Sequence, residues 1–401
     1  MIPYGRQFID EDDIQAVINV LKSDWLTQGP VIEQFERSLA DYCGAKYAVA
    51  VSSGTAALHL SCLAAGIRHG DEAITSPITF VASANCVLYC GGSPVFADID
   101  KNTYNIDHYE IKKKITPRTK AIIPVHFAGL PCDMEEIKNI ASRHDLITIE
   151  DACHALGSEW MDSHRRLNKT GSCSYSDMTV FSFHPVKHIT TGEGGAVLTN
   201  NSEYYKKVLL LRNHGITKDP EKYTNRDLAF SLNPESLILN PNSWYYEMQE
   251  LGFNYRITDI QCALGLSQLK KLDLFIKRRR HITNIYNSAF ANIEHVKLPV
   301  EPEGKKSSCH LYAMQIDFEE LGKTRAAFIN ALKEKGIFTQ VHYIPVHLQP
   351  FYTKRYGFKE KEYPVAERYY TKTISLPVYP GMTDEDLERV IYSVKGCLHA
   401  G

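Results

Sequence analysis

The sequence predicts an α/β fold: a large domain with a mostly parallel central sheet between layers of helices, and a smaller C-terminal α+β domain. Short apolar strands alternate with helices through the first half of the chain, and this pattern is typical of a parallel sheet covered on both faces. The 401 residues are too many for one hydrophobic core. We therefore predict two domains, over residues 1–260 and 261–401.

The first half of the chain supplies the predicted sheet. Two helices, 10–21 and 31–42, precede it, and the earlier one has acidic residues in its first turn, where the helix dipole favours them. Ligands bind beyond the carboxyl ends of parallel strands, so residues that follow a strand are candidates for a site. Strands are predicted at 47–51, 73–75, 94–97, 121–125, 146–149, 178–183 and 195–199, with helices from residue 56 and at 82–90, 134–143 and 201–213.

The second half begins with a polar, irregular stretch over residues 218–247. Long loops inside compact proteins are more often functional than filler. A long helix over 259–291 is predicted to lead into the smaller domain. That domain is predicted to contain strands at 311–316 and 339–343 and helices at 325–335 and 384–396.

Composition argues against several classes of protein. The 45 basic and 47 acidic residues leave a net charge of −2, so no nucleic-acid surface is indicated. The basic run at 277–280 fits a solvated helix face. No apolar run approaches the roughly 20 residues of a membrane span, and the N-terminus does not look like a signal peptide. Ten scattered cysteines without a CxxC pair are typical of reduced thiols, and we expect a cytoplasmic protein.

One lysine stands where a surface charge would be poorly placed. Lys187 lies in the segment FSFHPVKHITTGEGG, between a strand that ends near Phe183 and another that begins at Gly195. A lysine between two strands and close to glycine backbone suits an amine that reaches into a pocket. We predict that Lys187 forms a Schiff base with pyridoxal 5'-phosphate (PLP), although a lone lysine would not identify that cofactor.

A candidate phosphate site lies where the first strand meets a helix. The sequence there is Ser52-Ser53-Gly54-Thr55, and unpaired backbone N–H groups at a helix N-terminus attract anions. The hydroxyl of Ser53 or Thr55 could instead simply cap the helix. Local sequence leaves both roles open.

Three further side chains follow predicted strands. Asp151, in IEDACHA, can pair with a pyridinium nitrogen and so make the ring an electron sink, whereas an isolated aspartate is more commonly a cap or an ion-pair partner. His154 can hydrogen-bond the ring hydroxyl or be an ordinary polar histidine. Phe80, in TFV, can stack on a planar ring, although core packing is the commoner role.

An anion turn, an aromatic residue, an acid at a strand end and a lysine between strands are together the parts that PLP needs. The chain resembles the PLP-dependent nucleotide-sugar aminotransferases of the DegT type over about residues 3–395. The resemblance implies the fold type I aminotransferase architecture and a homodimer whose active sites use both chains. It rests on SSGTAAL, TSPITFVASAN, PVFADID, IEDACHALGSEW, FSFHPVKHITTGEGG and GFNYRITDIQCALGLSQL.

The resemblance also implies roles for matched residues. Lys187 is the Schiff-base lysine and moves protons, and Asp151 pairs with the pyridine nitrogen. Asn254, in GFNYR, reaches the phosphate of the neighbouring subunit's cofactor. The implied cofactor-binding residues are Gly54, Thr55 and Ser182 at the phosphate, Phe80 stacked on the ring, Asp151 and His154 at its polar atoms, and Asn254 from the second chain.

Four segments resemble one branch of that family, the 4-aminotransferases of pseudaminic acid biosynthesis: LTQG (26–29), HALGSE (154–159), SSCHLY (307–312) and QVHYIP (340–345). The branch implies that L-glutamate donates an amino group to a UDP-4-keto-6-deoxy-N-acetylhexosamine, UDP-2-acetamido-2,6-dideoxy-β-L-arabino-hex-4-ulose. The implied substrate-binding residues, each of which could instead be structural, are Tyr4, Gln28, His310, His342 and Tyr343.

One position departs from the family pattern, because His188 follows the lysine where relatives usually carry proline. A related branch has histidine in place of the lysine and acts as a dehydratase, so Lys187 favours transamination. A metal pair of His184 and His188 is not expected, since Pro185 interrupts any helix between them. The alternatives are an aminotransferase for another nucleotide-linked keto-sugar, a PLP-dependent sugar dehydratase, and a protein that binds PLP without catalysis.

Overall fold

The computed structural model of the chain describes residues 1–232 and 239–399, so residues 233–238 of the predicted irregular stretch lie outside the described residues. The strands are β1 Tyr47–Val51, β2 Glu72–Thr75, β3 Ser93–Phe96, β4 Thr119–Ile123, β5 Ile147–Asp151, β6 Glu159–Met161, β7 Leu167–Lys169, β8 Met178–Ser182, β9 Gly195–Thr199, β10 Ile216–Thr217, β11 Phe230–Leu232, β12 Leu239–Pro241, β13 Glu247–Met248, β14 Val296–Lys297, β15 Lys305–Lys306, β16 Tyr312–Ile316 and β17 Thr373–Leu376.

The helices alternate with these strands in the first half of the chain and dominate the second half. They are α1 Glu11–Leu21, α2 Pro30–Cys43, α3 Gly54–Ala64, α4 Ala82–Tyr89, α5 His108–Lys114, α6 Met134–Arg143, α7 Ser202–Arg212, α8 Arg226–Ala229, α9 Asp259–Leu269, α10 Leu272–Phe290, α11 Arg325–Glu334, α12 Pro350–Tyr356, α13 Pro364–Lys372 and α14 Asp384–His399.

A seven-stranded sheet in the order β1-β9-β8-β5-β4-β2-β3 forms the centre of the protein. β9 pairs antiparallel with both β1 and β8, and the other neighbouring strands pair parallel. Six strands therefore share one direction, and their carboxyl ends meet at one edge. The predicted α/β class with a mostly parallel sheet is confirmed.

Helices cover both faces of this sheet because its strand residues alternate between two cores. In β1, Val49 and Val51 pack with residues of α3, α4 and α7. Ala48 and Ala50 point the other way and pack with residues of α2 and α9. This period of two is what a strand buried on both faces requires.

A second core forms around the antiparallel sheet β14-β16-β17. Side chains from α10, α11 and α14 fill it, together with Ile2 from the N-terminus. The predicted strand at 339–343 is wrong. Only Gln340 forms a bridge there, to Ser375 on the outer edge of β17. The pairing does not extend because the stretch 340–344 lines a cavity instead.

Two other predictions need correction. The helix predicted over 259–291 is two helices, since α9 ends at Leu269 and α10 begins at Leu272. α9 packs on α1 and α2, whereas the C-terminal half of α10 enters the second core. The described part of 218–247 is not irregular throughout, since it contains α8 and short strands.

Within residues 1–232 and 239–399, no helix combines the length and apolarity needed to cross a membrane.

Candidate active site

A cavity of about 660 Å³ opens at the carboxyl edge of the central sheet. Its size falls in the range of small-molecule sites. Residues from the strand ends form its floor, and residues from the stretch 340–344 form the opposite wall. The sequence-predicted residues that line it are Tyr4, Gly54, Thr55, Phe80, Asp151, His154, Ser182, Lys187, His310, His342 and Tyr343.

The turn between β1 and α3 combines a helix cap with a close backbone approach. The Ser53 side chain accepts a hydrogen bond from the Ala56 N–H at 3.1 Å, so Ser53 is the cap, and Thr55 lines the cavity. A Cβ on Gly54 would lie 2.9 Å from the Ser182 Cβ. Only glycine therefore lets the two turns meet, and the first N–H groups of α3 remain available for an anion.

Asp151 is the last residue of β5 and is buried, with 5% of its surface exposed. The Ser83 hydroxyl donates to its Oδ2 at 2.6 Å, and the Cys153 N–H donates to its Oδ1 at 3.2 Å. Two donors fix the carboxylate at the floor of the cavity. Ser83 was not predicted from the sequence, although it lies in the segment TSPITFVASAN, three residues after Phe80.

Lys187 lies in the turn that connects β8 to β9, across the cavity edge from Asp151. Burial lowers the pKa of its amine, and this effect outweighs the opposite influence of Cys153 and Asp151. Arg279 lowers the pKa further. A lowered pKa favours the neutral amine, which is the form that attacks carbonyl groups.

Histidines in neutral form line the deeper part of the cavity. The Tyr343 hydroxyl and His154 Nε2 lie 3.0 Å apart, and the rings of His154 and His310 are 4.4 Å apart. The Nδ1 atoms of these two histidines are buried without a partner in the structure. Burial lowers the pKa of both well below the usual range and that of His342 to about 3. Unpaired buried nitrogens of this kind suit the polar groups of a ligand.

The aromatic residue predicted to stack on a ring is exposed to the cavity. Phe80 keeps 58% of its surface exposed, so its ring is not packed in the hydrophobic core. Its ring lies 6.4 Å from that of Tyr343, while Tyr4 lies 5.5 Å from His342 on the same side. A planar ligand can be held between such side chains.

Two predicted residues lie outside this cavity. Gln28 lines a separate cavity of about 280 Å³ together with Arg212 and Arg256. Asn254 is exposed and forms a backbone bridge with Asn213, which lines the same second cavity. Within one chain, neither Gln28 nor Asn254 reaches the cavity of Lys187.

The residue after the lysine has a structural role that the sequence did not reveal. His188 is 3% exposed, and its Nε2 lies 3.2 Å from the Ser308 carbonyl. A carbonyl can only accept, so Nε2 carries the proton and donates. His188 thereby ties the lysine turn to the segment before β16. It lies apart from the exposed His184, and no group of three metal-ligating side chains occurs in the described residues.

The basic run at 277–280 is only partly a solvated face. Arg279 is completely buried, and its Nη1 donates to the His310 and Val378 carbonyls at 3.2 and 2.8 Å. Its Nη2 lies 3.5 Å from the Lys187 carbonyl. The prediction failed at this position because helical periodicity alone does not show which member of a charged run faces inward.

The residues present fit PLP. The turn at Gly54 is a cradle that a Cβ would fill, and it offers backbone N–H groups to a phosphate. Asp151 provides a fixed carboxylate, His154 provides an unpaired nitrogen, and Lys187 provides an amine of lowered pKa. All four lie around one cavity.

Comparison with known proteins gives one consistent result. The sequence profile of the DegT/DnrJ/EryC1/StrS aminotransferase family matches residues 7–395. The spore coat polysaccharide biosynthesis protein SpsC of Bacillus subtilis is 43% identical over 395 residues, which cover 98% of this chain and 96% of SpsC.

Solved structures agree with the sequence comparison. PseC of Helicobacter pylori, described as an aminotransferase of pseudaminic acid biosynthesis, is 33% identical with a TM-score of 0.88 and full coverage of both chains. The PLP form of the sugar aminotransferase Spr1654 of Streptococcus pneumoniae is 30% identical with a TM-score of 0.87, covering 99% of this chain and 98% of its own. The fold type I architecture implied by the sequence is confirmed.

Proposed function

Because the chain belongs to the DegT/DnrJ/EryC1/StrS aminotransferase family, and is thus a PLP-dependent sugar aminotransferase, we propose that it aminates a UDP-linked 4-keto sugar. The donor is L-glutamate. The acceptor is a UDP-4-keto-6-deoxy-N-acetylhexosamine, with UDP-2-acetamido-2,6-dideoxy-β-L-arabino-hex-4-ulose as the preferred candidate. The products are the UDP-4-amino sugar and 2-oxoglutarate. The keto oxygen of the sugar leaves as water in one half-reaction, and a water molecule supplies the keto oxygen of 2-oxoglutarate in the other.

The observation that carries this proposal is the placement of Lys187 and Asp151 around one cavity. An amine of lowered pKa and a fixed buried carboxylate are the two groups that transamination needs on opposite parts of the cofactor. A dehydratase of the branch described above would have histidine in place of Lys187. A protein that only binds PLP would have no use for an amine whose pKa is lowered.

When bound, PLP supplies an electrophilic aldehyde and a ring that accepts electrons. Lys187 would hold the cofactor through its amine, take the α-proton of glutamate and deliver a proton to the sugar C4. The Asp151 carboxylate, held by Ser83 and the Cys153 N–H, would keep the pyridine nitrogen protonated. The first turn of α3 would hold the phosphate.

The choice of sugar rests on the similarity to PseC and on the wall opposite Lys187. Tyr4, His310, His342 and Tyr343 present hydroxyl groups and neutral imidazoles to the cavity. Such groups suit the hydroxyl and acetamido substituents of an uncharged sugar ring. A site for an acidic sugar would instead require a cation on this wall.

We further propose a homodimer in which two chains complete each site. Gln28 and Asn254 lie at or beside the second cavity, which also contains the guanidinium groups of Arg212 and Arg256. Glu33 and Glu36 also line this cavity, and Glu36 pairs with Arg212. Arg256 and the amides are therefore the groups there that suit a phosphate. A partner chain that places this surface opposite the cavity of Lys187 would let Asn254 reach the cofactor phosphate and Gln28 the nucleotide sugar.

The test is incubation of the purified protein with the UDP-4-keto sugar and ¹⁵N-labelled L-glutamate, followed by NMR. We expect ¹⁵N on C4 and stoichiometric 2-oxoglutarate. Lys187→Ala should abolish both, whereas the control Lys22→Ala, at an exposed position, should retain them. A sugar that has lost a ring oxygen and gained no nitrogen would identify a dehydratase. An unchanged visible spectrum after addition of glutamate would identify a non-catalytic PLP protein.

A further inference from the structure

Arg279 is a buried cation without a counter-ion. Its side chain is fully buried within α10, and among the described residues it forms no ion pair. Its neighbour Arg280 provides the contrast, since it pairs with both carboxylate oxygens of Glu301 at 2.8 and 2.9 Å. Buried arginines are normally paired, so the isolation of Arg279 requires a reason.

Three backbone carbonyls surround the Arg279 guanidinium. Nη1 bonds the carbonyls of His310 and Val378 at 3.2 and 2.8 Å, and Nη2 lies 3.5 Å from the carbonyl of Lys187. His310 lies just before β16, Val378 lies just after β17, and Lys187 lies between β8 and β9 of the central sheet. One planar group therefore joins the lysine turn to two segments of the second core.

We propose that Arg279 is a positioning residue for Lys187. Its guanidinium holds the lysine turn against the second core, and its uncompensated charge opposes protonation of the lysine amine. The inference rests on the proposed function for its purpose, because a neutral amine is what bonds to the cofactor and accepts a proton. His188, which donates to the Ser308 carbonyl at 3.2 Å, ties the same turn to the same segment from the adjacent position.

The electrostatic part of this proposal follows from the groups around Lys187. Two of them, at the end of β5, favour the protonated amine, namely Asp151 and Cys153. Four histidines are held neutral by burial and contribute no fixed charge. Arg279 is the guanidinium that opposes protonation of the lysine, and it works together with burial. The four histidines are His154, His188, His310 and His342.

The test measures how readily Lys187 is acetylated as a function of pH in the full-length, cofactor-free protein. Acetic anhydride reacts with the neutral amine, and mass spectrometry of the Lys187 peptide gives the midpoint of its ionisation. Arg279→Met removes the charge at similar length, Arg279→Lys keeps it, and Arg280→Met removes the adjacent, paired charge. The exposed Lys22 serves as the internal standard.

The Lys187 midpoint should rise in Arg279→Met, because a positive charge that opposes protonation of the amine has been removed. In Arg279→Lys and Arg280→Met the Lys187 midpoint should equal that of the wild type. The Lys22 midpoint should be the same in every variant. A purely structural arginine would lower the melting temperature in both Arg279 variants without moving the Lys187 midpoint, and that result overturns the proposal. If Arg279→Met does not fold, Arg279→Gln removes the same charge and can still donate to the surrounding carbonyls, and an unshifted Lys187 midpoint in that variant would contradict the proposal.

This measurement needs neither sugar nor glutamate, so its outcome is separable from that of the proposed function. A shifted midpoint together with absent transamination would mean that the substrate is wrongly assigned while the role of Arg279 stands. Normal transamination together with an unshifted Lys187 midpoint would mean that the substrate is correctly assigned and that the proposed role of Arg279 is wrong.

Discussion

Replacement of Gly195 by alanine tests the junction on which the phosphate turn depends. Gly195 is the first residue of β9, and a Cβ there would lie 2.6 Å from the carbonyl carbon and oxygen of Ser53 and from the nitrogen of Gly54. All three atoms belong to the backbone, so no side chain can rotate out of the way. The turn between β1 and α3 must move away from β9.

The size of the effect follows from this geometry. Overpacking a tight junction costs about 1–3 kcal/mol, and we expect the upper end because backbone must shift. Moving Gly54 also displaces the first N–H groups of α3, so PLP affinity should fall at least tenfold, about 1.4 kcal/mol. Urea unfolding followed by fluorescence, and absorbance titration with PLP, measure the two quantities.

A matched glycine provides the control. Gly396 lies in α14, and a Cβ there would meet no atom within 4 Å beyond the backbone of its own helix, so Gly396→Ala should be neutral or stabilise the protein by about 0.5–1 kcal/mol. Its affinity for PLP should not change. If Gly195→Ala unfolded at the wild-type urea concentration and bound PLP as tightly, the account of this junction would be wrong.

Three further predictions address the carboxylate, a helix cap and acid stability. Ser83→Ala removes the 2.6 Å hydrogen bond to Asp151. Since a hydrogen bond to a charged group contributes about 1.5–3 kcal/mol, kcat/KM should fall tenfold or more. An unchanged kcat/KM would contradict the role of Ser83. Thr324→Ala removes the cap bond to the Ala327 N–H and should cost about 1 kcal/mol in urea unfolding, with kcat/KM unchanged. Burial lowers the pKa of His342 to about 3, so the unfolded chain binds a proton below about pH 6.5 that the folded chain excludes. The free energy of unfolding of the wild type should therefore decrease as the pH falls from about 6.5 towards 3. In His342→Gln this decrease should be smaller by about 1.4 kcal/mol per pH unit. Equal decreases in both proteins would show that the His342 ring is charged when folded.

The local sequence pattern was sufficient to predict the positions of the site residues that lie at strand ends. Asp151 ends one strand of the central sheet and Lys187 follows another, and parallel strands bring their carboxyl ends together. The sequence could therefore place both residues at one site without knowledge of any side-chain contact. The turn at Gly54 was equally readable, because a strand, a hydroxyl cap and a helix follow one another there directly.

Tertiary contacts decided the rest. The stretch around His342 has the composition of a strand, but only Gln340 bridges to β17 and the following residues line the cavity, which nothing local to residues 339–343 indicates. Arg279 could not be separated from Arg280 by periodicity, since its burial depends on carbonyls that lie far away in sequence. Gln28 and Asn254 lie outside the main cavity within one chain. Only the proposed second chain would bring them to it, so their roles stay predictions.

The antiparallel course of β9 has a consequence for how the active lysine is carried. Ser182 and Gly195, which bound the loop of Lys187, are a paired position in the β8–β9 ladder. The loop thus leaves the sheet and returns to it at one rung. Its first and last residues extend the pairing, since the Phe183 N–H donates to the Gly194 carbonyl at 2.9 Å, so the lysine is carried on a loop that is closed at its base by backbone hydrogen bonds.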